Sequence, residues 1–180
     1  MINKILLKIP KTVQRDIWTH LLPKRFTFEE AAFLFARREF EEKAELLSYF
    51  EWAPVPPNGF LSRSAYHFEL TDKTRAIMIK RAYELGMCMV EFHSHKECQP
   101  AQFSISDLLG FREFVPHVWW RLKRRPYAAV VLSRSGFDGL VWIACPYAPQ
   151  RLDGIVIGKS VLIPTRLTPQ RYDYHEKRKV

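Results

Sequence analysis

The sequence predicts an α/β (α+β) fold, a mixed β-sheet flanked by helices in a single domain. Three observations predict it. Buried-strand-like apolar runs recur along the chain, at Met87–Phe92 and Tyr127–Ser133 above all. Segments with helical spacing are interspersed among them, as at Val13, Ile17 and Leu21. At Ser135–Gly139 a turn-rich stretch joins two apolar runs, which is a hairpin signal.

Taken in order, residues 2–9 read as a strand and residues 10–22 as an amphipathic helix, with Pro10 suited to the first turn and Pro23 ending it. Phe26 to Phe40 is ambiguous, because its start looks helical while Ala31–Ala36 is a continuous apolar run fit for a buried strand. A strand within 41–55 ends before the turn Pro54–Gly59, and 60–70 is a loop or edge strand. Thr71 or Asp72 caps a helix that runs to about Glu84 and stops at Gly86, as C-terminal glycines do. After the Met87–Phe92 strand, Ser104 or Ser106 caps a helix from about Asp107 to Phe114, which Pro116 interrupts and Val118–Lys123 resumes. Tyr127–Ser133 and Leu140–Cys145 form the hairpin.

The chain of 180 residues is 47% hydrophobic and 14% aromatic, enough apolar material for a packed core. Cys88, Cys98 and Cys145 have no paired spacing, which argues against a disulfide framework or a four-cysteine zinc site and suits a reducing, cytoplasmic setting. No run of eighteen apolar residues appears, and MINKILLKIP is too short in its apolar part for a secretory leader, so no membrane partner is expected. The net charge of +9 fits either a solvated basic surface or an acidic partner. Trp119 and Trp120 ahead of Arg121–Arg125 mix aromatics with cations, as single-strand nucleic-acid binders do. A tryptophan packed in the core beneath a solvated basic turn is the simpler reading, and nucleic acid is not the expected partner.

The chemistry concentrates in Glu91-Phe92-His93-Ser94-His95 and Ser104-Ile105-Ser106-Asp107. Alternation along a strand puts His93 and His95 on the same side, and Asp107 at the next helix start can return a carboxylate to the same point. Two nitrogens and one oxygen leave a fourth tetrahedral position open for water, the mark of a catalytic rather than a structural zinc site. An isolated His-x-His means little, and Asp107 or Ser104 alone reads as an ordinary first-turn acid or cap. Only the full set carries weight. His20, His67, His117 and His175 lack ligand spacing, and Cys98 reads as a plain loop thiol. Glu91 shares the parity of the histidines, either supporting an imidazole or simply ending a strand.

His93-Ser94-His95 followed by Ser104-Ile105-Ser106-Asp107 resembles the signature of the JAB/MPN (JAMM) zinc metalloproteases, His-x-His, a spacer, then Ser-x-x-Asp. That family also has an upstream glutamate before small and aliphatic residues. Phe28-Glu29-Glu30-Ala31-Ala32-Phe33-Leu34-Phe35-Ala36 supplies it, with Glu29 selected by alignment and Glu30 one register away. Glu91-Phe92 resembles prokaryotic members. The chain differs from the pattern in having Lys96 after the second histidine, a spacer of eight residues rather than seven, and Ala32 in place of a glycine.

The resemblance covers residues 1–165 as a JAB/MPN-like domain and leaves 166–180 as a basic tail. It implies Zn²⁺ on His93, His95 and Asp107, Glu29 as the base that takes a proton from the attacking water, and Ser104 as a hydrogen-bond donor to the oxyanion. It further implies a deubiquitinase-like isopeptidase that cuts after the C-terminus of a ubiquitin-like protein, in conjugates or precursors. Ubiquitin-like activating and conjugating enzymes would be its neighbours in a bacterial conjugation or antiviral defence system, a step resting on analogy. The rival expectations are a non-catalytic MPN scaffold, a nucleic-acid-binding protein, or an amidohydrolase, whose barrel needs a longer chain.

Overall fold

The strands expected from the apolar runs assemble into one mixed sheet whose central members have both faces covered. The structure, a computed structural model, describes residues 4–25, 28–95 and 99–169. Its strands are β1 (Lys4–Lys8), β2 (Ala31–Glu41), β3 (Ala44–Pro54), β4 (Phe60–Arg63), β5 (Phe68–Leu70), β6 (Cys88–Ser94), β7 (Tyr127–Ser133), β8 (Gly136–Trp142), β9 (Gln150–Arg151), β10 (Gly154–Ile157) and β11 (Ser160–Leu162). Its α-helices are α1 (Lys11–Leu21), α2 (Asp72–Leu85) and α3 (Ile105–Arg121). The large sheet has the order β11-β10-β1-β3-β2-β6-β7-β8-β9, while β4 and β5 form a separate hairpin.

Alternation sorts each central strand between two cores. Phe33, Phe35, Met89, Ala129 and Val131 face α2 and α3, where they meet Met78, Ala82, Leu108, Phe111 and Val115. Leu34, Ala36, Val90, Phe92, Val130 and Leu132 face α1, where Ile17 and Leu21 close the other layer. This two-sided cover is why Ala31–Ala36 is apolar without a gap, the habit of a strand buried on both faces. It resolves the helix-or-strand ambiguity there in favour of β2.

Several expectations change. Pro116 does not divide α3, which continues to Arg121. An interior proline costs about 3 kcal/mol, but Val115, Val118 and Leu122 are fully buried around it. Burial of aliphatic side chains contributes about 1.5–3 kcal/mol each, so packing wins. Replacing Pro116 with alanine is therefore expected to raise stability by about 1–2 kcal/mol, the helical gain less the freedom returned to the unfolded chain. A urea titration reads this as a higher midpoint. A lower midpoint would show that the proline's bend is needed for packing.

The hairpin turn is shorter than expected. Ser133 pairs with Gly136, so only Arg134 and Ser135 turn the chain, and Phe137, Asp138 and Gly139 belong to β8. Gly139 is required by close packing, since a Cβ there would lie 2.9 Å from the Leu152 side chain. The strand ends at Trp142 rather than Cys145.

Strands β9 to β11 were not foreseen, although Gly158-Lys159 between apolar runs is a two-residue hairpin signal, and Ile157 pairs with Ser160 across it. The packed body also passes residue 165. Thr168 is buried, its N–H donates to Asp138 and its hydroxyl accepts from Phe103 N–H. Residues 170–180, the rest of the expected tail, lie outside the described residues, as do His175 and Cys98. Cys88 and Cys145 are free thiols, and burial pushes the Cys88 thiol up to about 12. Among the described residues, no helix is long and apolar enough to cross a membrane.

Candidate metal centre

The site forms where β6 leaves the sheet and α3 begins. On β6, His93 shares the side of Met89 and Glu91, toward α2 and α3. Helix α3 starts with a capping box in which the Ser104 hydroxyl accepts from Asp107 N–H at 3.1 Å. In return Asp107 Oδ2 accepts from Ser104 N–H and from the Ser104 hydroxyl, both at 2.7 Å. The Ser-x-x-Asp spacing is thus that of a capped helix start, and it fixes the direction of the Asp107 carboxylate.

The same Oδ2 atom lies 3.6 Å from His93 Nε2 and 3.3 Å from His95 Nε2. The two Nε2 atoms are 3.3 Å apart. Bonds of about 2.0–2.1 Å to a tetrahedral ion space its ligands by about 3.3–3.4 Å, so the three donors already stand near the corners of one tetrahedral face. The group can hold a metal ion. The donor chemistry agrees, for two imidazole Nε2 atoms in contact repel through their lone pairs unless a proton or a cation lies between them.

Charge in the cluster points the same way. Burial would by itself raise the Asp107 carboxyl, but His93 and the hydrogen bonds from His93, His95 and Ser104 hold it far below the usual carboxylate range. Burial would lower the His93 imidazole, and the facing Asp107 carboxylate outweighs it, leaving the group raised. His93 is only 1% exposed, and its ring packs between Phe68 and Phe103, at 5.5 Å from each.

Register separates the two upstream glutamates in space. Ala31 pairs with His93 across β2 and β6, so the antiparallel ladder continued outward sets Glu29 opposite His95 and Glu30 opposite Ser94. The Glu29 carboxylate lies 3.9 Å from His95 Nε2 and is 4% exposed. Burial raises its carboxyl above the ordinary glutamate value, against the pull of His95 and His93. Glu30 instead binds Arg63 at 2.7 Å, while its N–H donates to the Ser94 hydroxyl. Beside Glu29 and His95 opens a cleft of about 210 Å³, bordered also by Tyr66, Gln99 and Ser104.

The hydroxyl hydrogen of Ser104 rests on Asp107 Oδ2, so donation to an oxyanion requires that hydrogen to turn toward the cleft. Among the described residues, Glu91 does not bond an imidazole. Its carboxylate accepts from the Tyr127 hydroxyl at 2.6 Å, and His93 Nδ1 has no hydrogen-bond partner among the described residues. Burial raises the Glu91 carboxyl despite the pull of His93 and Tyr127. His20 bonds the Ala31 carbonyl at 2.9 Å, a structural role. His67 lines a second cleft with Asp107 and Glu91.

The tryptophans depart from expectation. Trp119 is half-buried, whereas Trp120 is 72% exposed and stacks with Arg121 at 5.3 Å rather than filling the core. Arg125 is not a free cation of the basic run, because its guanidinium donates to the Ala82 and Met87 carbonyls.

Sequence reasoning named the three metal-binding candidates and Glu29. It missed Arg63, whose only signal was a cation in a segment read as loop or edge strand. Among known proteins, no family model matches the chain and no curated protein is significantly similar to it.

Proposed function

We propose that this chain is a zinc-dependent peptidase that hydrolyses the bond after the C-terminus of a ubiquitin-like protein, in conjugates or in precursors. The observation that carries the reading is the convergence of His93, His95 and Asp107 at tetrahedral spacing, with the buried Glu29 carboxylate beside them at the head of a cleft. Zinc is the ion best matched to two imidazoles and a carboxylate with an open position. Bound there, it would supply a Lewis acid that activates water and polarises a carbonyl.

The chain's own groups then divide the remaining work. Glu29 takes the proton of the attacking water and returns it to the departing nitrogen, so no covalent acyl-enzyme is needed. Ser104 N–H and hydroxyl hold Asp107 in place. The hydroxyl, turned into the cleft, is the donor available to the tetrahedral oxyanion. An extended tail would enter by the cleft beside Glu29, and main-chain pairing with a strand edge is the economical way to hold one. The substrate class and a place beside ubiquitin-like activating and conjugating enzymes in a bacterial system rest on the sequence resemblance.

The test uses a ubiquitin-like precursor fusion with and without a zinc chelator. Cleavage after the ubiquitin-like C-terminus is expected, abolished by chelation and restored by added Zn²⁺. Chelator-insensitive cleavage would overturn the mechanism. Protein that purifies without stoichiometric metal and does not cleave would favour a non-catalytic scaffold.

A further inference from the structure

Glu29 lies ahead of β2, in no helix or strand of its own, so contacts outside the sheet must aim its carboxylate. Glu29 N–H donates to the Ser64 carbonyl at 2.9 Å, immediately after β4. The next residue is gripped on both sides. The Glu30 carbonyl accepts from Ser94 N–H at 3.0 Å, and the Glu30 carboxylate accepts from Arg63 at 2.7 Å. The Arg63 guanidinium lies between two rings, 5.2 Å from Phe28 and 4.6 Å from Phe60. One cation thus ties residues 28 and 30, on either side of Glu29, to the β4–β5 hairpin.

We infer that Arg63 is a positioning residue: through Glu30, Phe28 and Phe60 it fixes the Glu29 carboxylate beside the metal-binding group. The hairpin that carries Arg63 also borders the cleft with Tyr66 and packs Phe68 against His93. The segment that meets a substrate is therefore the one that aims the base. The three metal-binding candidates lie on β6, one residue past it and on α3, and among the described residues no hydrogen bond or ion pair joins them to Arg63. Arginine suits the post because a planar guanidinium stacks on two rings while pairing with a carboxylate, which lysine cannot do as well.

The consequence for turnover rests on the peptidase reading above, whereas the consequence for the backbone does not. The experiment compares the zinc-loaded full chain with Arg63→Ala, Arg63→Glu, Glu30→Arg and the double variant Glu30→Arg/Arg63→Glu. The readouts are amide hydrogen exchange at Glu29, zinc stoichiometry, and kcat and KM on the precursor fusion. In Arg63→Ala, exchange at Glu29 is expected to quicken at least tenfold while the core amide of Val130 is unchanged. Zinc content stays at one per chain, kcat falls at least tenfold and KM moves less than twofold.

The charge-swapped double variant is expected to recover most of the exchange protection and kcat that its single variants lose, a rescue that general destabilisation would not give. Unaltered exchange at Glu29, or faster exchange with kcat unchanged, overturns the inference, as does a folded double variant that recovers nothing. If the wild-type chain cleaves nothing, the peptidase reading fails alone, and the exchange data still decide whether Arg63 holds this segment.

Discussion

Exchange of Glu29 for glutamine is expected to lower turnover by about 10²–10⁴-fold, the range that a positioned general base contributes, while zinc remains bound. The substitution keeps shape and burial and removes the carboxylate's charge and its ability to take a proton. Metal retention follows from geometry, since the three donors at 3.3–3.6 Å spacing are His93, His95 and Asp107, and Glu29 stands outside them at 3.9 Å from His95. Glu30→Gln offers the control, because the Glu30 carboxylate faces Arg63 and not the site. It should cost far less than Glu29→Gln, through loosened positioning alone. Metal analysis together with single-turnover cleavage checks both halves. Unchanged turnover in Glu29→Gln would dismiss Glu29 as the base, and loss of zinc would make it a ligand.

The pair of glutamates also shows where sequence reading stops. The resemblance selected Glu29 by alignment with Glu30 one register away, a choice that hung on a single position, because a one-residue slip flips every side chain to the other face. Only the pairing of Ala31 with His93 fixes the face, and that pairing joins residues more than sixty positions apart. The metal-binding candidates were legible for the opposite reason. His93 on β6 and His95 just past its end follow strand alternation, and Asp107 belongs to a capping box, both local rules. Pro116 was misjudged because the local rule there is outweighed by the burial of Val115, Val118 and Leu122, which no window of sequence displays. Arg63 was invisible on the same ground, for its partners Glu30, Phe28 and Phe60 are assembled by the hairpin's docking rather than by any motif.

Added zinc is expected to stabilise the wild-type chain, for one site by about 2.7 kcal/mol at a hundredfold excess of free metal over Kd, and Asp107→Ala to abolish that gain. Two roles meet in this carboxylate. Its Oδ2 atom faces both imidazoles and also closes the cap on Ser104. The variant should lose about 1 kcal/mol of helix capping even without metal, so the two effects need separating. Ser104→Ala separates them, since it removes the cap hydroxyl and leaves all three donors. It should show a similar drop in the metal-free protein and still respond to zinc.

Thermal unfolding of the three proteins, each with chelator and with excess zinc, reads the difference directly. The pH dependence has a definite sign as well. Protons compete with the metal for imidazole nitrogen, and His93 is raised above its ordinary value in the metal-free chain. The zinc response should therefore be full at alkaline pH and begin to fail on acidification at a higher pH than an unperturbed histidine would impose. An Asp107→Ala protein whose unfolding temperature rises with zinc as the wild type does would mean that the metal binds elsewhere.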